Sequence, residues 1–252
     1  MDIVFLTALG VGGATVIGVL IGFVFKNISH KFSDMILSFA AGVMLCAAVL
    51  GLVLPSLEYG GKLPVVVTIM GIFCGAYVLN LMDKAVPHLH RLSGTEIEDH
   101  SQKNESLNKV LLFVMAIAIH NLPEGIAAGV GFGTGNNAEA ITIAAGIALQ
   151  NIPEGMIIIA PMIAAGMSKK RTFIIAAMTG FVEVIGTFLG YFAVSISSAI
   201  LPFALAFAGG TMLYVISDEM IPETHSHGGE RNSTYFLLLG FCLMLLMDYY
   251  LG

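Results

Sequence analysis

Eight runs of about 20 mainly apolar residues, separated by polar breaks, dominate this chain. A helix of that length matches the hydrocarbon thickness of a bilayer. Only 11% of the 252 residues are charged, against about 25% in a typical soluble domain. The sequence therefore predicts an all-α polytopic membrane protein whose single transmembrane domain covers residues 1–252.

The apolar runs predict eight transmembrane helices with one long loop. The helices are expected at about residues 3–25, 34–57, 63–82, 107–131, 138–165, 171–194, 199–221 and 233–251. The longest polar break, about 84–108, follows the third helix and holds His88, His90 and His100. The role of these three histidines stays open at this point.

The distribution of positive charge predicts the orientation. Ten of the eleven Lys and Arg residues fall at the breaks after the first, third, fifth and seventh helices, and Lys62 is the exception. The positive-inside rule places those breaks in the cytoplasm and both termini outside the cell membrane. The net charge of −6 offers no basic surface for nucleic acid.

Two related polar motifs interrupt the fourth and fifth apolar runs. They read "HNLPEG" and "QNIPEG", and begin at His120 and Gln150. In each motif the first residue and the glutamate are four positions apart, so they share a helix face, and the asparagine lies beside them. The polar residues of the two motifs are His120, Asn121, Glu124, Gln150, Asn151 and Glu154.

Further acidic residues lie in or at the ends of other apolar runs. Glu183 lies in the sixth run, Glu58 ends the second, and "SDEMIPE" ends the seventh. Ionisable groups inside a membrane are costly and usually face a cavity or one another. We therefore expect the motif residues and Glu183 to form a functional cluster.

The chemistry of the two motifs indicates a divalent metal. Imidazole combined with carboxylates suits zinc, iron and manganese. Two neighbouring carboxylates also repel each other unless a cation lies between them. The bland alternative is a hydrogen-bonded packing cluster with protonated glutamates, which two copies of the motif make a weaker explanation. No resident cofactor is expected.

Two other functional classes stay open on the residues alone. The same carboxylates could serve an ion-coupled transporter of a non-metal substrate. An intramembrane metal enzyme is a further alternative, but the Glu-x-x-His pairs of di-metal bundles and the His-Glu-x-x-His pattern of zinc proteases do not occur here. We therefore expect a transporter and not an enzyme.

The motifs, with the long loop after the third helix, resemble the ZIP (Zrt/Irt-like) family of divalent metal transporters, and its prokaryotic zinc-transporter branch in particular. The resemblance implies a 3+2+3 arrangement, in which helices 1–3 and 6–8 are inverted repeats around helices 4 and 5. It implies import of Zn²⁺, with Fe²⁺, Mn²⁺ and Cd²⁺ as further candidates, by alternating access. A membrane-embedded homodimer is compatible with it.

The resemblance also implies a two-metal site. One ion would be bound by Met44, His120, Glu124, Gln150 and Glu154. The second would share Glu124 and Glu154 and add Asn121, Asn151 and Glu183. Glu58 would lie toward the outer entrance, and the residues implied toward the cytoplasmic exit are Asp218, Glu219, Glu223, His225 and His227.

The chain departs from the family pattern at several of these positions. Relatives often have aspartate where this chain has Asn151, histidine where it has Gln150, and histidine near position 218. Proline commonly follows the glutamate of the sixth helix, where this chain has Val184. A neutral amide at position 151 makes the second ion site less negative, and the amide of Gln150 predicts a broader metal preference.

Overall fold

A computed structural model describes residues 1–25, 29–85, 102–226, 228 and 230–252, without the side chains of 83, 85, 102–113 and 116. The predicted all-helical class is confirmed, because no strand occurs among these residues. His88, His90, His100 and His227 lie outside the described residues.

Eight long helices make up the described part of the chain. In chain order they are α1 Asp2–Val24, α2 His30–Tyr59, α3 Pro64–Ala85, α4 Gln102–Gly131, α5 Asn137–Ala164, α6 Lys169–Ile196, α7 Ser198–His225 and α8 Glu230–Leu251. Seven of them, all but α4, are long and apolar enough to cross a membrane over the residues described.

Side chains cap several helices at their first turn. The Ser29 hydroxyl accepts a hydrogen bond from the backbone of Phe32 at the start of α2. Asn136 does the same for α5, accepting from the backbone of Ala138 and Glu139. Each cap satisfies backbone donors that a helix leaves unpaired at its first turn, so it defines where the helix begins.

Two helices contain a wider π-helical turn followed by a proline. In α2 the π-helix covers Ala47–Val53 and Pro55 follows, and in α7 it covers Ile216–Met220 and Pro222 follows. A proline cannot donate to the preceding turn, and π-turns inside helices are frequent at functional sites. The α7 turn is formed by "ISDEM", which carries two acidic residues predicted for the exit.

Glycines bring α1, α4, α5 and α6 into backbone contact. A Cβ at Gly12 would meet the carbonyl of Gly180, and one at Gly18 would meet the carbonyl of Ile152. In the same way, Gly125 of α4 lies against the backbone carbonyl of Glu183 in α6. Helices approach this closely only where a side chain is missing, as is common in membrane helices.

The remaining helices form two close pairs by the same means. Gly42 of α2 lies against the carbonyl of Leu237 in α8, and Gly240 of α8 against that of Phe39. Gly75 of α3 lies against the carbonyl of Phe207 in α7, and Gly210 of α7 against that of Ile72. The described helices therefore form a four-helix bundle, α1–α4–α5–α6, flanked by the pairs α2–α8 and α3–α7.

We predict that Gly18→Ala destabilises the protein, because the new methyl group would meet the Ile152 carbonyl and force α1 away from α5. Overpacking of this kind costs about 1–3 kcal/mol. Gly10→Ala is the matched control, since nothing lies within 4 Å of a Cβ there. Thermal unfolding in detergent should show a lower Tm for Gly18→Ala alone, and equal Tm values for both variants would contradict this packing.

Candidate metal site

The two predicted motifs face each other inside the four-helix bundle. Asn121 and Glu124 on α4 are each 1% exposed, and Gln150 and Asn151 on α5 are 0% and 1% exposed. Pro123 and Pro153 lie inside their helices. These four polar side chains are therefore buried inside the protein, as the cost of exposing them to hydrocarbon requires.

Glu183 of α6 is the hydrogen-bonding centre of this region. Its Oε1 accepts from the Thr15 hydroxyl at 2.7 Å and from the Asn121 amide at 2.5 Å, and its Oε2 accepts from the Asn151 amide at 2.5 Å. The Asn151 amide also donates to the Val11 carbonyl at 3.3 Å. One buried carboxylate thus connects α1, α4, α5 and α6.

Other acceptor oxygens next to this cluster have no hydrogen-bond partner among the described residues. They are both carboxylate oxygens of Glu124, Oε1 of Glu154, Oε1 of Gln150, and Oδ1 of Asn121 and Asn151. The charges of Glu154 and Glu183 act on Glu124, and the Gln150 amide is its one donor among the described residues, short of a full hydrogen bond. Unpaired buried oxygens are costly and rare in native proteins, so such a concentration marks a candidate site for a cation.

His120 contacts an acidic residue that the sequence places elsewhere. Its Nε2 lies 2.8 Å from Oε1 of Glu219, in the π-helical turn of α7. The His120 ring also lies within electrostatic range of Glu154. Glu219, which the resemblance assigns to the exit, therefore also contacts a residue of the first motif.

The structure does not bring the predicted ligands of one ion fully together. Met44 is completely buried on α2. No group of three His, Cys, Asp or Glu side chains among the described residues is arranged to hold a metal ion. Amide oxygens or a thioether would therefore have to complete a site built on Glu124 and Glu154, or His120 would have to turn from Glu219 toward them.

The predicted entrance and exit residues lie at different places in the bundle. Glu58 is exposed near the end of α2, where it acts electrostatically on Glu139 of α5. Asp218 and Glu223 are exposed on α7. His225 is the last residue of α7. Its ring bonds to the Ile221 carbonyl of the same helix at 2.8 Å and to the Thr234 hydroxyl of α8 at 3.3 Å.

Thr15 is a member of the cluster that the sequence analysis did not identify. It is 1% exposed, and a threonine in an apolar run normally indicates only helix packing. Its separation from Glu183 is 168 residues, and Gly12 and Gly180, which also touch, are equally far apart. Because both pairs have the same separation, an internal repeat of the sequence at 168 residues could have paired Thr15 with Glu183.

The chain is similar to known transporters over most of its length. Residues 87–248 match the family model described as "ZIP Zinc transporter". The chain is 38% identical to the zinc transporter GufA of Myxococcus xanthus, with 96% of each chain covered. It is 34% identical to the zinc transporter ZIPB of Bordetella bronchiseptica, with 95% of this chain and 78% of that one covered. It is also 34% identical to the zinc transporter ZupT of Chlorobaculum parvum, with 92% and 91% covered.

Two Glu→Gln substitutions should have different effects on the stability of the metal-free protein. Glu183→Gln should lower the free energy of unfolding by about 1.5–3 kcal/mol, because a carboxylate with three donors is lost. Glu124→Gln should leave it equal or raise it, because that buried carboxylate has no hydrogen bond of good geometry and only the Gln150 amide acts on it. Thermal unfolding in chelator measures both, and equal losses would contradict the difference between the two sites.

Proposed function

Because the chain belongs to the ZIP zinc transporter family, we propose that it imports divalent metal cations into the cytoplasm. The chain is a multi-pass membrane protein and a transporter, not an enzyme. Zn²⁺ is the first candidate substrate, followed by Fe²⁺, Mn²⁺ and Cd²⁺. The observation that carries the proposal is the set of buried acceptor oxygens around Glu124.

A cation is the partner that best satisfies this set. The oxygens come from a carboxylate, amides and a second carboxylate, and none of them has a hydrogen bond of good geometry among the described residues. A proton could neutralise Glu124, but its single O–H donor could pair at most one of the amide oxygens of Asn121, Gln150 and Asn151. A divalent ion attracts carboxylate and amide oxygens together, and so compensates both the charge and the dipoles.

The proposed ligands of the first ion are those that the resemblance implies. Glu124 and Glu154 supply charge, Gln150 an amide oxygen, His120 an imidazole and Met44 a thioether. His120 now pairs with Glu219, so its ring has to rotate before it can bind the ion. In the described geometry, His120 is therefore engaged by Glu219 and not by the other proposed ligands.

Asn121, Asn151 and Glu183 are proposed as the second part of the same site. They lie next to Glu124, which the resemblance makes a shared ligand. This part can bind an ion of its own only if the Glu183 carboxylate gives up hydrogen bonds that it now accepts.

The proposed path enters past Glu58 and leaves along α7. Glu58 and Glu139 place two carboxylates near the outer end, where they attract cations. Glu219 touches His120, and Asp218, Glu223, His225 and His227 continue along the chain toward the cytoplasmic side. The direction rests on the positive-inside orientation of the loops, which also places both termini outside.

We propose the 3+2+3 arrangement of inverted repeats on the recurrence of helix contacts. Gly18 of α1 lies against the carbonyl of Ile152 in the second motif, and Gly186 of α6 lies against that of Leu122 in the first. Gly186 follows Gly18 by the same 168 residues that separate Thr15 from Glu183. Transporters built from such repeats place their substrate sites at the repeat interface.

Alternating access is proposed as movement of the four-helix bundle against the two flanking pairs. Backbone contacts at glycines hold the bundle together, whereas its contacts with the pairs involve side chains, such as Met244 against Gly146 and Ile143 against Gly51. Side-chain contacts can rearrange in small steps while backbone contacts persist. Such a movement would carry the motifs past Met44 and the α7 turn.

We predict that Glu124→Ala with Glu154→Ala abolishes saturable ⁶⁵Zn²⁺ uptake into proteoliposomes. The double variant removes both charged ligands, whereas Glu230→Ala, an exposed position at the start of α8, is the control and should retain wild-type uptake. Excess Cd²⁺ or Fe²⁺ should compete with the wild type.

The same assay separates metal transport from the alternative function. Should folded wild-type protein transport none of Zn²⁺, Fe²⁺, Mn²⁺ and Cd²⁺, the metal proposal would fail, and an ion-coupled transporter of a non-metal substrate would replace it. Equal uptake by the double variant and the wild type would place the transport site elsewhere.

Gln150→His should narrow the metal preference toward zinc. The substitution replaces an amide oxygen, which suits manganese, with an imidazole nitrogen, which suits zinc better. Competition of unlabelled Mn²⁺ against ⁶⁵Zn²⁺ uptake measures the effect, and Mn²⁺ should compete less well in the variant. Unchanged competition would indicate that Gln150 does not contact the ion.

A further inference from the structure

We propose that Glu183 is a positioning residue that directs the amide oxygens of Asn121 and Asn151 toward the transported ion, so that the site binds one divalent ion at a time. This inference rests on the proposed function, because it concerns the same site. It assigns Thr15 a part in the site and removes Glu183 from the set of direct ligands.

The hydrogen bonds of Glu183 already use its carboxylate. Oε1 accepts from a hydroxyl and an amide, and Oε2 from a second amide, all at 2.5–2.7 Å. The residue is completely buried. A carboxylate that accepts three short hydrogen bonds inside a protein is compensated without a metal ion, and Glu124, which has no such bonds, is not.

The same hydrogen bonds determine which way the two asparagines face. A carboxylate only accepts, so each amide must turn its NH₂ group toward Glu183. Asn151 uses its NH₂ group on both Glu183 and the Val11 carbonyl. The oxygens of both amides are consequently left buried and without donors, alongside the unpaired oxygens of Glu124.

The charges of the site also match one ion. Glu124 and Glu154 together carry a charge of −2, which balances one divalent cation, while Glu183 is compensated by its three donors. Two divalent cations would carry +4 against −3 from the three glutamates, and would leave an uncompensated buried charge. Ligating Glu183 to a second ion would also cost it the hydrogen bonds that hold the amides in place.

Asn151 is the residue on which this arrangement depends. An aspartate there would donate nothing to Glu183 and would add a negative charge beside it. Two carboxylates side by side would then need a cation between them. Asn151→Asp is therefore expected to convert the hydrogen-bonded half of the site into a second ion site.

Metal stoichiometry tests the proposal directly. The full chain, purified in detergent without a histidine tag and stripped with chelator, is equilibrated with Zn²⁺, desalted and analysed for zinc per protein. Ions at other positions are removed from the count by subtracting the zinc retained by the Glu124→Ala, Glu154→Ala double variant. One ion is expected for the wild type and two for Asn151→Asp.

The possible counts separate the two proposals. A wild-type count of two, or no increase in Asn151→Asp, would overturn the positioning role of Glu183 while leaving the metal-transport proposal standing. A wild-type count of zero, in protein shown to be folded, would count against metal binding at the motifs and so against both.

Thr15 provides a second test with a conservative control. Thr15→Val removes the hydroxyl but keeps the shape of the side chain, and Thr15→Ser keeps the hydroxyl. Loss of an outer hydrogen bond commonly weakens metal binding about ten- to hundredfold, so Thr15→Val should bind Zn²⁺ at least about tenfold more weakly, with the count still one. Thr15→Ser should restore wild-type affinity, and unchanged affinity in Thr15→Val would overturn the role of Thr15.

Discussion

A carboxylate buried in a bilayer must be compensated by donors or by a cation, and the rest of this structure depends on that constraint. The chain meets it in two ways within one cluster. Glu183 accepts hydrogen bonds from Thr15, Asn121 and Asn151. Neither oxygen of Glu124 has a hydrogen bond of good geometry among the described residues, and only the Gln150 amide acts on it as a donor, which is why Glu124 is proposed as the group that attracts the transported ion. On this contrast rests the proposal that Glu183 organises the site and Glu124 binds the ion.

The glycine contacts make this cluster geometrically possible. Glu183 can reach Thr15 across the α1–α6 interface because Gly12 and Gly180 let the two backbones touch nearby. On the other side, Gly125 lies against the Glu183 carbonyl, which brings α4 close enough for Asn121 to donate. Small residues thus do more than pack helices here, because they set the distances over which short polar side chains meet.

Part of the candidate site could be predicted from local spacing, and part could not. The i, i+3 and i, i+4 relations within "HNLPEG" and "QNIPEG" place Glu124 beside Asn121 and Glu154 beside Asn151, because helical periodicity alone controls them. The contact between His120 and Glu219 lies outside that reach. It depends on how α7 packs against α4 and on the π-turn at Ile216–Met220, neither of which leaves a simple periodic trace in the sequence.

The sequence by itself determined the helical class and the helix faces on which the motif residues lie. Apolar length and helical period are local properties, and in hydrocarbon the backbone of a spanning segment must satisfy its own hydrogen bonds. Only the tertiary structure decided which oxygens keep their donors. Thr15 looks like a packing residue, and the three donors of Glu183 cannot be recognised, until four helices are brought together. Hydrogen-bond partners from distant segments depend on distances between helices, and those distances are set by packing contacts across the whole bundle.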